Sequence, residues 1–455
     1  MITVLAFLLT LGVLVVVHEY GHYRVAVACG VKVLRFSVGF GRVLWRRQKG
    51  RDATEFVVCA LPLGGYVRML DEREAPVPAH ELAGAFNRKP LWARTAIVAA
   101  GPAANLLLAV LLYASAHLLG VVEPKAVLST PAPTSLMEAA GLKGGDWVRA
   151  WSDDGQDWTE VPSLTDLRWQ ITQAVLHGQT LHLQVTDRNG RGQRETRVEL
   201  GRLGAREIDP STLKAIGLGP AFSEPVMGEV KPEGPAAAAG LRKGDRVLDI
   251  DGVAVADAFT VRERIMKAAS KGSATEQRWR IERGGQVLEL PVRPRVVNEG
   301  GREFGRIDAF VGPAPEMVTV RQGPFDALVK GAERTWEVSA LTVRMLGRML
   351  VGEASLKNLS GPLTIADYAG QSVQQGLTYY LAFLALVSVS LGVLNLLPLP
   401  MLDGGHLMYY AFEAVTGRPV SELWLARLQR GGIALLLMMM SVALFNDVAR
   451  LLGLH

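Results

Sequence analysis

The chain has 455 residues, of which 49% are hydrophobic and 20% are charged, with a formal net charge of +5. Its mean hydropathy of +0.20 is typical of a membrane protein that also carries sizeable soluble parts. The modest charge, with no basic stripe, argues against a nucleic-acid partner. The two cysteines, Cys29 and Cys59, form no CxxC motif and no disulfide framework. A bridge between them stays open, but we expect two spare structural cysteines.

The first predicted element is an apolar helix over Ile2–Ala28, which ends with the pentad HEYGH. It lacks the basic start and the A-x-A-like site of a cleaved signal peptide, so we expect it to be retained. His18 and His22 are four residues apart and share one helix face, where both can ligate one zinc ion, while Glu19 can activate water. The alternative is two buried histidines that hydrogen-bond to neighbouring helices. Because ionisable groups are costly inside a bilayer, we favour the functional interpretation.

The segment after this helix predicts a small β-hairpin. β-branched and aromatic residues alternate over Phe36–Trp45 and Thr54–Met69, around the glycine motifs Gly39-Phe40-Gly41 and Gly64-Gly65. The hairpin is unusually apolar, so we expect it to dip toward the membrane. Such a hairpin could accept an unwound substrate strand by β-addition, which makes these five residues candidates for substrate binding.

Four apolar segments are long enough to span a bilayer: Ile2–Ala28, Thr95–Leu119, Leu377–Leu397 and Gly432–Leu452. Basic residues cluster between the first two segments and predict that this loop is cytoplasmic. The N-terminus and the long stretch between the second and third segments then lie on the outer side.

The outer stretch contains an internal repeat. Glu138–Ala150 (EAAGLKGGDWVRA) recurs as Ala237–Gly252 (AAAGLRKGDRVLDIDG). Each copy predicts a short helix that ends at glycine, a tight turn carrying Asp146 or Asp245, and then a strand. The pattern resembles PDZ domains of the bacterial type, and the first copy departs from it at WSDDGQDW. After the repeat, 324–352 predicts an amphipathic helix that lies either on the membrane surface or on the PDZ region.

A third zinc ligand is predicted in NLLPLPMLDGGH, the segment Asn395–His406. Pro398 and Pro400 should break the third helix, which lets the side chain of Asp403 turn inward. His406 is a competing ligand, and Asp403 could instead cap the next helix. Both Asp403 and the HEYGH pentad fall near the cytoplasmic ends of their helices, so the two halves of the site should meet at one depth.

Asn395 lies about one helical turn before the proline break. Its side chain could hydrogen-bond to substrate backbone, and an interhelical hydrogen bond is the equal alternative.

Taken together, these motifs resemble the site-2 intramembrane zinc metalloproteases. The resemblance rests on HEYGH, Gly39-Phe40-Gly41, LPLGGYVRM, GPAAN (Gly101–Asn105), NLLPLPMLDGG and the tandem repeat, and it covers essentially the whole chain. It implies a polytopic α-helical membrane protein with about four transmembrane helices, a reentrant β-hairpin and two periplasmic PDZ domains. It also implies Zn²⁺ as cofactor, with His18, His22 and Asp403 as ligands, Glu19 as the catalytic residue and Asn395 in substrate handling.

As to cellular location, the resemblance implies a protease of the bacterial inner membrane whose active site lies toward the cytoplasm. Its expected partner is a membrane-spanning substrate such as an anti-sigma factor already trimmed by a periplasmic protease, and remnant signal peptides are further candidates. The PDZ domains would read a substrate C-terminus or exclude large substrates. The main alternative is a non-proteolytic membrane PDZ adaptor. A zinc transporter is a weaker alternative, because it would leave the internal repeat unexplained.

The expected layout is, in order, a first transmembrane helix (1–28), a cytoplasmic or reentrant hairpin region (29–92), a second transmembrane helix (93–120), a first PDZ-like domain (121–220), a second PDZ domain (221–298), an amphipathic periplasmic linker region (299–376), a third transmembrane helix with the LDG motif (377–406), and a cytoplasmic loop with a fourth transmembrane helix (407–455).

Overall fold

The computed structural model of the chain describes residues 2–50, 53–204, 210–270, 272–299, 302–351 and 361–451. It divides into two compact units: a membrane unit, Met1–Val121 with Arg321–His455, and a repeat unit, Val122–Val320. Among the described residues, four helices have the length and composition to cross a membrane: Ile2–Ala28, Leu91–Leu119, Leu377–Asn395 and Leu423–Val448. The four predicted spans are therefore confirmed, although the second starts four residues earlier than Thr95, the third stops at Asn395, and the fourth runs over Leu423–Val448 instead of Gly432–Leu452.

The N-terminal part of the membrane unit contains two long helices and one hairpin: α1 (Ile2–Ala28), β1 (Val33–Arg47), β2 (Glu55–Met69), two short 3-10 helices (Ala79–Gly84 and Phe86–Arg88) and α2 (Leu91–Leu119). The strands pair antiparallel, from Val33 opposite Met69 to Arg47 opposite Phe56. Helices α1 and α2 approach closely at Gly21, where a methyl group would lie 2.4 Å from the carbonyl oxygen of Ala100. Both Cys29 and Cys59 are free thiols.

The first half of the repeat unit consists of β3 (Val121–Pro124), α3 (Leu136–Ala139), β4 (Trp147–Ser152), β5 (Thr159–Glu160), α4 (Leu164–Leu176), β6 (Leu181–Thr186), β7 (Arg194–Val198), a 3-10 turn (Leu200–Leu203) and α5 (Pro210–Ile216). Its four-stranded sheet has the order β5-β4-β6-β7. The WSDDGQDW segment forms the end of β4 and the turn to β5, so the departure from the repeat pattern is confined to one connection.

The second half consists of β8 (Met227–Val230), α6 (Pro235–Ala238), β9 (Arg246–Ile250), β10 (Val253–Ala254), α7 (Ala258–Lys267), β11 (Ala269–Ser270), β12 (Ser273–Ala274), β13 (Gln277–Arg283), β14 (Gln286–Val292), β15 (Arg295–Glu299), β16 (Arg302–Arg306), β17 (Ala309–Val311) and β18 (Met317–Val320). Its main sheet has the equivalent order β10-β9-β13-β14. Ile307 and Val311 belong to the core of this half, and β17 pairs with β8. The second repeat therefore continues well beyond residue 298, where the sequence suggested a linker.

The predicted aspartate turns are confirmed in both halves. Asp146 accepts a hydrogen bond from the backbone N–H of Lys143 at 2.7 Å, and Asp245 accepts one from Arg242 at 2.8 Å. Each aspartate also binds an arginine from the hairpin of its own sheet, Arg194 and Arg283 respectively. The same turn thus recurs at equivalent places in two sheets of the same strand order, although its arginine partner comes from the edge strand β7 in one half and from the inner strand β13 in the other.

The two halves of the repeat unit are joined by Asp257, which is fully buried at the start of α7. One carboxylate oxygen accepts the N–H of Thr260 at 2.7 Å and so caps α7. The other accepts the hydroxyl of Thr130 at 2.6 Å and the N–H of the same residue, which belongs to the first half. One carboxylate therefore satisfies polar groups of both halves.

We expect Asp257→Ala to weaken the attachment of the two halves, because it removes the cap of α7 and leaves the half-buried donors of Thr130 and Thr260 without their acceptor. The free energy of opening of the Thr130 and Thr260 amides should fall by about 2–3 kcal/mol. Hydrogen exchange on the full-length chain measures this. Asp153→Ala, at an exposed aspartate of the same unit, is the control, and equal protection of both amides in the two variants would contradict the role of Asp257.

The C-terminal part of the membrane unit contains α8 (Pro324–Leu350), α9 (Pro362–Gln375), α10 (Leu377–Asn395), α11 (Asp403–Thr416) and α12 (Glu422–Leu451). The predicted amphipathic helix is α8, and its buried face packs on α2 and α10. Val338 is buried against this pair, in a cluster with Tyr113 of α2 and Ala385 of α10. One stripe of α8 is thus buried against transmembrane helices, while its large apolar side chains, such as Phe325, Trp336 and Leu341, stay exposed.

Candidate metal centre

Three predicted ligands come together in the membrane unit. Nε2 of His18 and Nε2 of His22, both on α1, are 3.2 Å apart. Oδ2 of Asp403, the first residue of α11, lies 3.2 Å from the first nitrogen and 3.6 Å from the second. In the described part of the chain, these residues form the one group of potential metal ligands, and His406 is not a member of it. The carboxylate of Asp403 faces the two histidines. The N-cap of α11 is the preceding residue, Leu402, and not Asp403.

The other ring nitrogen of each histidine is held by α2. Nδ1 of His22 lies 2.8 Å from the carbonyl oxygen of Ile97, so it donates its proton there. Nδ1 of His18 lies 3.2 Å from the side-chain amide of Asn105, which is fully buried and whose Oδ1 has no other partner. With the amide turned over, Oδ1 accepts the proton of Nδ1. Both Nε2 atoms then present lone pairs, which is the arrangement of metal-binding histidines.

The spacing of the three atoms fits a zinc ion. Two imidazole lone pairs and a carboxylate oxygen repel one another unless a cation lies between them. Ligands bound to zinc at roughly 2.0–2.1 Å with tetrahedral angles are about 3.3–3.4 Å apart, and the observed separations are 3.2–3.6 Å. Three protein ligands also leave the fourth position open, as in catalytic zinc sites.

Glu19 lies between the histidines and the hairpin. Its side chain lies beside the backbone of β2, near Gly65 and Val67. The hairpin comes this close because Gly65 has no side chain: a methyl group there would lie 3.0 Å from Cγ of Glu19 and 2.7 Å from the carbonyl oxygen of Ser37. The sequence singled out Gly65 for substrate binding, and the structure places it beside the predicted catalytic residue.

The remaining predicted residues lie in the same unit, in the hairpin and at the end of α10. Gly39 and Gly41 have positive φ inside β1, a conformation that glycine adopts without strain. The ring of Phe40 is 45% exposed and lies against Gly64. Asn395 is the half-buried last residue of α10, directly before the proline-broken segment.

Sequence reasoning gave no role to Gly101 or Asn105, although both are in the GPAAN motif. They are four residues apart and therefore share a face of α2. A methyl group at Gly101 would lie 2.2 Å from Nε2 of His22 and 2.8 Å from Cε1 of His18. The spacing alone could have indicated a common face, but not the histidines that the face contacts.

We expect Gly101→Ala to weaken zinc binding by about 100-fold, the upper range for changes in the groups that support metal ligands, because the new methyl group displaces His22. Metal affinity of the purified chain, measured by competition with a chromophoric chelator, tests this. Gly12→Ala on α1 is the matched control, since nothing lies within 4 Å of a methyl group there. Equal affinities of the two variants would show that the close packing at Gly101 is unimportant.

Comparison with known proteins gives one family and several relatives. The family model described as Peptidase family M50 matches residues 6–439. The chain is 43% identical over 466 residues to a predicted zinc metalloprotease of Ralstonia nicotianae, covering 100% of both chains. It is 39% identical over 456 residues to the regulator of sigma E protease of Salmonella typhi and to the regulator of sigma-E protease RseP of Escherichia coli K12, covering 98% of each chain. These matches include the membrane unit and the repeat unit alike.

Proposed function

The chain belongs to peptidase family M50 and is a zinc metalloendopeptidase of the site-2 protease type, and we propose that it cleaves membrane-spanning proteins with His18, His22 and Asp403 as zinc ligands and Glu19 as general base. One observation carries the assignment: the two Nε2 atoms and Oδ2 converge within 3.2–3.6 Å of one another. They do so in a unit whose helices are apolar enough to cross a bilayer.

The chemistry follows from the positions of these side chains. A zinc ion bound here would lower the pKa of a water ligand and polarise the scissile carbonyl. The carboxylate of Glu19 is next to the histidines, so it can take the proton from the attacking water and deliver it to the nitrogen of the leaving amine. The backbone of β2 at Gly65 packs against this side chain and limits its movement.

We propose that the hairpin and Asn395 bind the substrate backbone. A helical substrate must unwind before its carbonyl group can be attacked, since its backbone groups are bonded internally. The hairpin strand β2 contacts Glu19 at Gly65, so a segment that adds to this hairpin would run close to the general base. Gly39, Phe40, Gly41 and Gly64 would shape the hairpin for this contact, and Asn395 would bind substrate backbone.

For the repeat unit we propose two PDZ domains on the periplasmic side of a bacterial inner membrane. The equivalent sheet orders and the recurring aspartate turns support two copies of one domain. Basic residues between α1 and α2 favour a cytoplasmic hairpin region, which orients the N-terminus outward and the metal centre toward the cytoplasm. The PDZ domains would bind a substrate C-terminus or exclude large substrates.

The proposed role is the second cut in regulated intramembrane proteolysis, after a periplasmic protease has trimmed the substrate. Relatives named regulators of sigma-E protease support an anti-sigma factor as the substrate in an envelope stress response, and remnant signal peptides are a further class. A non-proteolytic PDZ adaptor is not favoured, because such a protein would have no use for Glu19 beside three converging ligand atoms.

We expect Glu19→Gln to lower cleavage of a membrane-spanning substrate by about 10²–10⁴-fold, the usual contribution of general acid–base catalysis, while zinc content stays near one per chain. Cleavage by the detergent-purified chain and its metal content are the measurements. Glu74→Gln, at an exposed glutamate of the same unit, is the control. Full cleavage by Glu19→Gln would overturn the mechanism, and full zinc content in Asp403→Asn would overturn that ligand assignment.

A further inference from the structure

A buried ion pair joins α2 to α11, the helix that begins with Asp403. Nη2 and Nη1 of Arg94 donate to the two carboxylate oxygens of Glu413 at 2.6 and 3.2 Å. The side chains are only 15% and 20% exposed. An arginine–carboxylate pair with two parallel hydrogen bonds fixes distance and orientation together, and it is strongest where water is scarce.

The rest of the Arg94 guanidinium is also occupied. Its Nε donates to the carbonyl oxygen of Lys89 at 3.2 Å, just before α2 begins. Its plane lies over the ring of Tyr410, with Cζ at 5.1 Å from the ring centre. Tyr410 is buried and belongs to α11, as does Glu413. Arg94 therefore contacts α11 in two different ways, and lysine could reproduce neither the paired hydrogen bonds nor the stacking.

The position of Arg94 on α2 relates this pair to the metal centre. Arg94, Ile97 and Gly101 are spaced by three and four residues, and Asn105 follows four residues later, so all share one face of α2. Along that face, the helix holds α11 through Arg94, His22 through the carbonyl of Ile97, and His18 through Asn105.

We propose that Arg94 and Glu413 are positioning residues that set the place of Asp403 relative to the two histidines. The proposal rests on the ligand assignment above. Helix α11 is fixed at its start by Gly404 and Gly405, which lie against the backbone of the preceding loop, and farther along by the ion pair. Two fixed points determine the tilt and rotation of a helix, whereas its first turn alone leaves both free.

The test is zinc affinity of the full-length chain, with Arg94→Gln and Glu413→Gln measured separately. Each should weaken zinc binding by about 10–100-fold, the range found for groups that orient metal ligands. The zinc affinity of Arg94→Lys should lie between the affinities of these two variants and that of the unchanged chain. Substituted Co²⁺ gives a second readout, because loss of the Asp403 ligand alters its visible absorption, which a merely destabilised fold would leave unchanged.

A matched control exists in the same unit. Arg88 makes an equivalent two-pronged pair with Glu72, at 2.6 and 3.0 Å, but its side chain is 58% exposed. Arg88→Gln should change zinc affinity by less than about twofold, since an exposed pair contributes little. If Arg94→Gln cannot be purified in folded form, Glu413→Gln tests the same contact from α11 with a side chain of nearly unchanged shape.

A double-mutant cycle with Asp403→Asn separates the possible outcomes. If the ion pair acts through Asp403, Arg94→Gln should cause no further loss of zinc affinity in a chain that already carries Asp403→Asn. An equal loss in both backgrounds would mean that Arg94 acts on the histidines through α2 and would overturn the proposal, as would unchanged affinity in both single variants. If Asp403→Asn itself leaves zinc binding unchanged, the ligand assignment fails instead.

Discussion

The mutual repulsion of three electron-rich atoms is the constraint on which the membrane unit depends. Two imidazole nitrogens and one carboxylate oxygen lie 3.2–3.6 Å apart where little water reaches them. Packing must hold them there, because their own interaction pushes them apart until a cation binds. Helix α2 provides this packing. It can contact both histidines because Gly101 has no side chain, and the Ile97 carbonyl and Asn105 orient the two imidazole rings. The close helix contact at Gly21 serves the same end.

Features with a local period could be predicted from the sequence. The spacing of His18 and His22, the four apolar spans and the turns at Asp146 and Asp245 all follow from residues within one or two helical turns of each other. The structure adds contacts between residues far apart in the chain. Asn105 meets His18 and Gly65 meets Glu19 only through tertiary packing, and a glycine that makes room for a neighbour looks in sequence like any other glycine. Likewise, the pattern of α8 revealed an amphipathic helix but not that one stripe of it packs on α2 and α10.

The proposed substrate-binding hairpin lies beside the predicted general base, a contact that the sequence motifs did not reveal. Glu19 packs against the backbone of β2 at Gly65, so its position depends on the strand itself. A strand that distorts to accommodate a peptide would move the general base with it. If the hairpin binds substrate as proposed, binding and catalysis would be coupled through this packing contact, which would favour correctly bound peptides over those that merely reach the site.

Polar residues in apolar helices serve three different ends in this unit, and their partners distinguish them. Asp447 on α12 is buried, but its carboxylate accepts hydrogen bonds from the N–H groups of Gly361, Leu363 and Thr364 and so caps α9. Arg94 and Glu413 satisfy each other. The two histidines and Asp403, by contrast, direct acceptor atoms at one another. A charge in a membrane helix is therefore weak evidence for catalysis by itself, because a cap or an ion pair accounts for it equally well. A bound cation would satisfy all three converging atoms at once, which supports the proposed metal centre independently of the HEYGH motif.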